Sequence, residues 1–462
     1  MKGTYFLGAD APVKFETRDM QFGPLSPTDV LMRVHACGVC GTDVHIYKGE
    51  AGSAPVTPPV VLGHEFSGIV TAVGSAVTTC RPGDKIAADP NMYCGICRPC
   101  REGRKQNCEH LFALGVNTNG GFAEFCVLPQ TQCFVLPEDA DLDAAAMVEP
   151  LACAIHGIDQ AGIRPGCNVL VIGGGAIGLL MVQLAKLSGA ANVLLSEPVA
   201  VRRKIGAEVG ADAVVDPIHE SLPEKIRQVF GADGADTVIE CVGNPQAALQ
   251  AVESAGPGGT VLLFSVPKVG STIPLPLMDI YKKELHIHGS IINPDTHQRA
   301  VDLIAAGRLE LKKLIQVYFK IELIIMLINA GICIAGLLLI HNPYAVVIGI
   351  LIGLVDALPF FGTGTVLIPW AVILLLFRNY YAGAVLLSVY VMTYFVREIM
   401  ESKCMGDRLG IAPFTMLVVI FTGIMVYGIL GFILGPLSYC MMKALIRYFA
   451  SVLENAGGTW YT

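Results

Sequence analysis

The chain has 462 residues, with 32 Lys+Arg against 39 Asp+Glu and a mean hydropathy of +0.57. Residues 315–462 carry only 7 Lys+Arg and 6 Asp+Glu, so charge is concentrated in the first part of the chain. This length allows two or more domains, each with its own core. The first part is acidic and contains no basic run, which excludes a nucleic-acid binder.

The first part of the chain contains two regions with different patterns of predicted secondary structure. Met1–Asp143 consists of short β-rich segments separated by Gly/Pro turns. Ala144–Gly307 alternates apolar strands with helical stretches, which is typical of a parallel α/β sheet. The opening MKGTYFLGADAPVKFE lacks the apolar core of a signal peptide, so we expect this part in the cytoplasm with reduced thiols. Closely spaced cysteines are therefore interpreted as metal ligands.

One cysteine cluster lies in the β-rich part, in the pattern C-x2-C-x2-C-x7-C. Four thiolates at this spacing can close a tetrahedral shell around zinc, as in structural zinc sites. An iron–sulfur cluster is the competing interpretation. The predicted ligands are Cys94, Cys97, Cys100 and Cys108.

A second group of metal-binding side chains is spread along the chain: Cys37 in ACGVCGTDVH, His64 and Glu65 in a GHE turn, and Glu149 in MVEPLACAIHG. One thiolate, one imidazole and carboxylate oxygens can hold zinc and leave a position open for an alcohol oxygen. Taken singly, a cysteine is usually a core residue, a histidine is usually a satisfied polar group, and Glu149 suits a helix start. Together they indicate a catalytic metal site.

A glycine-rich turn follows the apolar run NVLVI and precedes a helical stretch. Such glycines let backbone N–H groups approach a pyrophosphate, and an acid after the second strand accepts hydrogen bonds from the adenosine ribose. The acid Glu197 would repel a 2′-phosphate and favours NAD, whereas Arg202 and Arg203 leave NADP open. The predicted nucleotide-binding residues are Gly173, Gly175, Ala176, Ile177, Gly178, Glu197 and Arg202.

In this order, the CGxCGTD segment, the GHE turn, the four-cysteine cluster and the Glu-Pro pair resemble the zinc-dependent medium-chain dehydrogenase/reductase family, particularly polyol, sorbitol and threonine dehydrogenases. The resemblance covers residues 1 to about 312. It implies a β-rich GroES-like zinc-binding catalytic domain over 1–145 and a Rossmann NAD-binding domain, with a doubly wound parallel sheet, over 146–312.

The resemblance also implies roles for individual residues. Cys37, His64 and Glu149 would hold the catalytic zinc, and Glu65 would be a ligand or exchange with water. Cys40 would lie beside the metal without binding it. Thr42 and His45 would relay the proton released from the alcohol.

The expected reaction is hydride transfer from a secondary alcohol, such as a polyol or sugar alcohol, to NAD, with one catalytic and one structural zinc. The sequence leaves the individual alcohol open. A homo-oligomer is usual in families of this kind.

After Leu314 the sequence becomes strongly apolar. Three runs are long enough to be predicted as membrane spans: Ile321–Ile340, Asn379–Val396 and Ile411–Met442. An α-helical transmembrane domain is therefore expected over 313–462. Lys312, Lys313 and Lys320 precede the first run, and the positive-inside rule places the dehydrogenase part in the cytoplasm.

Two stretches of this apolar part, IGILIGLVDALPFFGTGTVLIPW and REIMESKCMGDRLGIAPFTMLVVIFTGIMVYGILGFILGPL, resemble the C-terminal part of the autoinducer exporter-like membrane proteins. Asp356, Arg397 and Glu401 are either functional polar groups within the membrane or interface anchors. Both resemblances stop short near residues 309–320. Three hypotheses follow: a membrane-tethered dehydrogenase, a fragment of a membrane transport protein, and a non-functional chimera of two truncated genes. The dehydrogenase hypothesis is preferred because its ligands and glycine turn are all retained.

Overall fold

The computed structural model describes residues 1–11, 14–50, 55–356 and 362–405. The chain divides into two units, Met1–Ile324 and Ile325–Thr462. Two predicted features lie outside the described residues: the apolar run 411–442, and the side chains of Arg397 and Glu401.

The N-terminal part of the first unit is rich in short strands. Its five-stranded antiparallel sheet has the order β10-β6-β5-β3-β9, beside a three-stranded sheet β2-β1-β4 and a β7-β8 pair. These elements are β1 (Lys2–Phe6), β2 (Phe15–Asp19), β3 (Asp29–Gly38), α1 (Gly41–Tyr47), β4 (Val60–Val61), β5 (Glu65–Val73), β6 (Lys85–Ala88), β7 (Asn91–Met92), α2 (Arg98–Arg101), β8 (Phe112–Ala113), β9 (Phe125–Pro129), β10 (Cys133–Val135) and α3 (Leu142–Ala145).

Alternating burial explains the first half of β3. Val30 and Met32 are fully buried, and they pack with Phe66 and Val70 of β5 in one apolar core. The β3–β5 register pairs Gly38, the last residue of β3, with Glu65, the first residue of β5. This pairing brings the CGTD turn and the GHE turn to the same end of the sheet.

The following part contains a six-stranded parallel sheet in the order β13-β12-β11-β14-β15-β16. The strand β11 at its centre, NVLVI, is almost entirely apolar, as expected for a parallel strand whose two faces are covered by helices. These elements are α4 (Val148–Ala161), β11 (Asn168–Ile172), α5 (Ala176–Leu187), β12 (Asn192–Ser196), α6 (Ala200–Glu208), β13 (Ala213–Val215), α7 (Leu222–Phe230), β14 (Ala235–Glu240), α8 (Pro245–Ser254), β15 (Ala255–Leu263), α9 (Leu277–Lys283), β16 (His286–Gly289) and α10 (His297–Ala305).

This strand order confirms the predicted doubly wound sheet. The direction of winding reverses between β11 and β14, so a crevice opens at the carboxyl ends of these strands, where doubly wound folds bind ligands. The glycine turn follows β11 and lies at this edge of the sheet.

The chain passes from the dehydrogenase-like part into the apolar part through a helix, and this helix begins on the core of the first unit. Leu311 and Leu314 are each 5% exposed and belong to that core. Lys312 Nζ lies 3.1 Å from Asp141 Oδ2, and the Glu310 N–H donates to Gln183 Oε1 at 2.7 Å. The helices of this region are α11 (Leu311–Leu339), α12 (Ala345–Asp356), α13 (Thr363–Leu376) and α14 (Tyr380–Met405).

The second unit has an apolar core and a small polar cluster. Asn329 Nδ2 donates to Asp356 Oδ2 at 2.6 Å, and the Thr363 N–H donates to Asp356 Oδ1 at 3.0 Å. The predicted spans Ile321–Ile340 and Asn379–Val396 overlap α11 and α14. Within the described part of the chain, none of the helices combines the length and the apolar character needed to cross a bilayer.

Candidate functional site

Three metal-binding side chains meet where β3, α1 and β5 come together. One ligand atom each of Cys40, His64 and Glu65 lies within 4.8 Å of the others. Cys40 is the N-cap of α1, and His64 immediately precedes β5. An added Cβ at Gly38 would lie 2.3 Å from Glu65 Oε2, so a larger residue here would displace this carboxylate.

Cys37, which the family resemblance implied as the thiolate ligand while Cys40 would lie beside the metal without binding it, is not one of these three residues. Its side chain packs against the apolar core of the five-stranded sheet, with Sγ 3.6 Å from the Gly38 carbonyl oxygen. Added Cβ atoms at Gly63 and Gly121 would lie 2.7 and 2.8 Å from this Sγ. Cys37 is therefore enclosed by backbone, whereas Cys40 at the helix start faces the metal-binding group.

The charge balance of the group suits a cation. Burial raises the pKa of the Cys40 thiol, and the Glu65 carboxylate raises it further. Burial also raises the pKa of Glu65, and it raises the pKa of Glu149 to about 8. Because the charged forms of these buried acids are destabilised, a divalent cation would restore their ionised state. The thiol, imidazole and carboxylate donor set fits zinc.

Asp43 orients the histidine of the group. Its side chain is 2% exposed, and Oδ2 accepts the Cys40 N–H at 2.8 Å. Its other oxygen, Oδ1, lies 3.7 Å from His64 Nδ1. With Nδ1 facing a carboxylate, His64 Nε2 is the ring nitrogen directed to a metal. The Asp43 carboxylate therefore contacts both the Cys40 backbone and the face of His64 opposite Nε2.

Glu149, at the start of α4, lies near the group but is not one of its three members. It is 7% exposed, and its Oε1 accepts from Asn293 Nδ2 at 3.1 Å and from the Cys153 thiol at 3.3 Å. The sequence did not single out Asn293, which is 144 residues away along the chain.

The predicted relay residues lie one turn apart on α1. Thr42 and His45 are both half-buried. His45 Nδ1 lies 2.5 Å from Glu50 Oε2, and this hydrogen bond lowers the pKa of Glu50. The carboxylate of Glu50 extends the predicted relay by one residue that the sequence analysis did not include.

The structure brings Cys94, Cys97, Cys100 and Cys108 together, with their Sγ atoms within 4.8 Å of one another, and this group is called the cysteine knuckle below. The Cys94 N–H donates to Cys108 Sγ at 3.4 Å, and the Cys97 N–H donates to Cys94 Sγ at 3.4 Å. Backbone hydrogen bonds from Ile96 and Cys97 lower the pKa of Cys94 to about 6. Such amide donors stabilise thiolates, which are the form that binds metal.

The glycine turn after β11 has the geometry that dinucleotide binding requires. Gly173 has φ 99°, and an added Cβ at Gly178 would lie 1.8 Å from the Gly173 carbonyl oxygen. Gly175 is the N-cap of α5, and Ala176 and Ile177 are the first residues of that helix. The helix N-terminus therefore opens toward the crevice, as expected for a pyrophosphate site.

Glu197 closes the ribose side of this turn. It is 2% exposed, and its two oxygens accept the N–H groups of Gly174 at 2.6 Å and Val199 at 2.8 Å. Arg202 Nη1 lies 3.9 Å from Glu197 Oε2, whereas Arg203 Nη2 pairs with Asp216 Oδ2 at 3.0 Å. Of the two arginines, Arg202 is thus the one beside Glu197.

A cavity of about 610 Å³ lies at the carboxyl ends of β14, β15 and β16. Its lining includes Phe264, Ser265 and Ser290 of this sheet edge, His156 of α4, and Gln106 beside the cysteine knuckle. These lining residues come from segments separated in sequence, so no local motif identifies them. Concave sites of this size suit small molecules and cofactors.

Comparison with protein families divides the chain in the same way. Residues 26–138 match the alcohol dehydrogenase GroES-like domain, and residues 176–306 match zinc-binding dehydrogenase. Residues 294–451 match the AI-2E family transporter, so the last two matches overlap over α10.

Individual relatives match the first two thirds of the chain. D-xylulose reductase A of Aspergillus oryzae is 36% identical over 310 residues, which is 66% of this chain and 86% of that protein. A solved zinc-binding dehydrogenase of Sinorhizobium meliloti 1021, bound to NADP, is 42% identical with a TM-score of 0.63, covering 67% of this chain and 90% of that one. The 2R,3R-butanediol dehydrogenase of Bacillus subtilis is 28% identical with a TM-score of 0.61, covering 68% and 90%.

Proposed function

Because the chain belongs to the zinc-binding dehydrogenases, we propose that it oxidises the secondary hydroxyl of a polyol or sugar alcohol to a ketone with NAD as hydride acceptor, and catalyses the reverse reaction. The observation that carries this proposal is the convergence of Cys40, His64 and Glu65 within 4.8 Å of one another. The name of the Aspergillus relative supports a sugar-alcohol substrate, and the butanediol enzyme supports a smaller diol as the second candidate.

Cys40, His64 and Glu65 would hold the catalytic zinc, with Glu149 as a further carboxylate beside them. When bound, zinc acts as a Lewis acid that lowers the pKa of an alcohol. Asp43 would orient the His64 ring, because its Oδ1 lies 3.7 Å from His64 Nδ1 and both atoms are buried without another hydrogen-bond partner in the described part of the chain. The three donors leave a position open for the substrate oxygen, as in other catalytic zinc sites.

The substrate proton would leave through α1. The Thr42 hydroxyl can accept it and pass it to His45, one helical turn further on. His45 is hydrogen-bonded to Glu50, whose carboxylate lies at a partly exposed position and can deliver the proton to water. This route uses only side chains of the CGTDVH segment and its following turn.

NAD remains our proposal for the cofactor. Glu197 would accept hydrogen bonds from the ribose, and its negative charge disfavours a 2′-phosphate. The NADP-bound Sinorhizobium relative and the nearby Arg202 favour NADP as the second candidate. The turn residues Gly173, Gly175, Ala176, Ile177 and Gly178 would contact the pyrophosphate of either cofactor.

The knuckle formed by Cys94, Cys97, Cys100 and Cys108 would hold a structural zinc ion, with an iron–sulfur cluster as the competing occupant. Metal analysis separates the two: zinc gives no visible absorption and no labile sulfide, whereas a cluster gives both.

For the C-terminal part we propose association with the lipid bilayer, with the dehydrogenase part in the cytoplasm. One side of α12 exposes Val346, Val347, Ile350, Leu351 and Leu354, each at 48–60%. Its other side is buried and is apolar up to Asp356, the last residue of the helix, so α12 is apolar on both sides over most of its length, which is typical of a helix surrounded by protein and lipid. Sedimentation with membranes after an alkaline wash tests this proposal. Recovery of the full chain in the supernatant would contradict it.

A transport role is the second candidate for this part, because residues 294–451 match the AI-2E family transporter. Uptake into or efflux from vesicles that contain the purified chain tests this role. A chain without either activity would support the hypothesis of a non-functional chimera.

Metal content and turnover test the enzyme proposal. The full chain purified in detergent should bind two zinc ions and reduce NAD with a polyol. Cys40→Ser should lose one zinc ion and all turnover, whereas the matched Cys37→Ser variant should keep both, because Cys37 packs in the apolar core. Equal loss in the two variants would contradict the assignment of Cys40. Two zinc ions without turnover of any alcohol would contradict the proposed reaction.

A further inference from the structure

The segment between β16 and α10, residues 290–296, links the cavity to the metal-binding group. Ser290 and Ile291 at its start line the cavity. Ile292 and Asp295 have φ values of 47° and 56°, a conformation that side-chain-bearing residues rarely adopt. Such strained residues persist only where surrounding contacts hold them, and they cluster at functional sites.

The central contact of this segment is made by Asn293. Its side chain is fully buried, and Nδ2 donates to Glu149 Oε1 at 3.1 Å. Its Oδ1 accepts from Asn91 Nδ2 at 2.8 Å. Asn91 is itself held, because its carbonyl oxygen accepts from Gln132 Nε2 at 2.7 Å. Both ends of the Asn293 amide are therefore fixed by the N-terminal part of the first unit and by α4.

Two further contacts hold the end of the segment. The Thr296 hydroxyl donates to the Ala152 carbonyl oxygen at 2.8 Å, on the same helix as Glu149. Asp295 pairs with Lys105 of the knuckle at 2.7 Å. A shift of the segment at the cavity would therefore be transmitted to α4 and to the carboxylate at its start.

The position of Glu149 depends on this hydrogen bond. Both of its hydrogen bonds, from Asn293 and from Cys153, are made to Oε1. The second oxygen, Oε2, is thus the one available to a cation. Without the Asn293 donor, the carboxylate could rotate and present either oxygen, or neither.

We propose that Asn293 is a positioning residue that fixes the Glu149 carboxylate beside Cys40, His64 and Glu65. We further propose that the nicotinamide end of a dinucleotide held at the glycine turn enters the cavity, and that its binding there is transmitted to this carboxylate through residues 290–296. The inference rests on the proposed function. It assigns to a segment of the nucleotide-binding part a direct role in the metal environment.

Cobalt substitution tests the inference without relying on turnover. The full chain in detergent is loaded with Co²⁺, and the spectrum of loaded Cys40→Ser, which retains only the knuckle metal, is subtracted to isolate the catalytic site. NAD is then titrated. Wild type should show a visible d–d spectrum that shifts when NAD binds. Asn293→Ala and the isosteric Asn293→Asp should show an altered spectrum without NAD and no further shift with it.

The matched control is a second side-chain amide pair at the opposite edge of the parallel sheet. Asn192 Nδ2 donates to Asn168 Oδ1 at 2.8 Å, where β11 and β12 begin. Asn192→Ala and Asn192→Asp should keep the wild-type spectrum and its NAD shift. The knuckle absorption serves as an internal check that each variant is folded.

Kinetics provide a second measurement. Loss of a hydrogen-bond partner of a metal-site carboxylate should lower kcat by about 10- to 100-fold. Asn293 variants with the wild-type spectrum, NAD shift and kcat would overturn this inference alone. A wild-type chain that binds no cobalt at the catalytic site would overturn the proposed function as well.

Discussion

Replacing Asp43 by Asn tests whether a buried carboxylate orients the metal-binding histidine. In the wild-type chain, one Asp43 oxygen accepts the Cys40 N–H at 2.8 Å and the other faces His64 Nδ1 at 3.7 Å. An Asn side chain has the same shape and retains an acceptor for the Cys40 N–H. Its NH2 group, however, places donor protons opposite Nδ1 and removes the acceptor for an Nδ1 proton. The tautomer that leaves Nε2 free for zinc is then disfavoured.

The expected cost can be worked out from these contacts. Loss of the carboxylate partner of a metal-binding histidine lowers metal affinity by about 10- to 100-fold, which corresponds to about 1.4–2.8 kcal/mol. The Cys40 hydrogen bond is kept, so the variant avoids the penalty of about 1–3 kcal/mol for an unsatisfied buried donor. The effect should therefore fall on zinc affinity at the catalytic site and leave the knuckle unchanged.

Competition with a zinc chelator measures this difference. A matched control exists in Asp216→Asn, because Asp216 accepts the Ile218 N–H at 3.0 Å and its Oδ2 lies 3.2 Å from His219 Nδ1. This second Asp–His pair has the same pattern outside the metal-binding group. Asp43→Asn should release one zinc ion at a lower chelator concentration, whereas Asp216→Asn should match wild type. Unchanged zinc affinity in Asp43→Asn would refute the reasoning.

Three further outcomes are expected. Gly38→Ala should lower kcat and zinc content, because its Cβ would lie 2.3 Å from Glu65 Oε2, whereas Gly23→Ala, with no atom within 4 Å of the added Cβ, should be neutral in the same assays. Glu197→Gln should raise kcat/KM for NADP relative to NAD by at least about tenfold. The reason is that two like charges 4 Å apart, here the Glu197 carboxylate and the 2′-phosphate of NADP, repel each other by about 4 kcal/mol at an effective dielectric constant of about 20. An unchanged ratio would contradict the assignment of Glu197 to the ribose. Burial raises the pKa of Asp89 from 3.8 to about 7. The folded chain therefore binds the Asp89 carboxyl proton more tightly than the unfolded chain does. The free energy of unfolding that this protonation adds is present below about pH 4 and is lost as pH rises from about 4 to 7. The Tm of Asp89→Asn relative to wild type should rise over that pH range, and a difference that stays constant would contradict the pKa shift.

The fold of the first unit could largely be predicted from local patterns. Apolar runs such as NVLVI, followed by glycines and a helix, predicted the parallel sheet, and β11 with its turn confirms it. The comparisons confirm the prediction of a zinc-dependent, nicotinamide-linked dehydrogenase. The sheet depends on residues that are neighbours in sequence, so spacing and hydropathy were sufficient to predict it, whereas the dehydrogenase activity was implied by the resemblance to the family.

The thiolate of the metal-binding group could not be predicted in the same way. The sequence contains Cys37 and Cys40 three residues apart, and the face to which each side chain points depends on where β3 ends. The β3–β5 register shifts between Val34 and Ala36, and such an irregularity changes the alternation of faces along a strand. Cys37 therefore points into the apolar core, and Cys40 becomes the helix N-cap. No local pattern in the sequence shows this shift.

Contacts between segments that are distant in sequence also could not be predicted. Asn293 and Glu149 are 144 residues apart, and their hydrogen bond depends on how the β16–α10 segment folds back onto α4. The membrane spans were predicted from hydropathy alone. In the described part of the chain no helix has the length and apolar character required, so the spans remain a proposal.

The start of α11 has a practical consequence for separating the two parental parts. Leu311 and Leu314 complete the interior of the dehydrogenase part, although they follow the point where its family match ends at residue 306. A protein shortened at that point would expose apolar side chains that normally meet these leucines, and we expect it to aggregate. Expression of the enzyme alone should therefore retain the chain through Ile324, the last residue of the first unit.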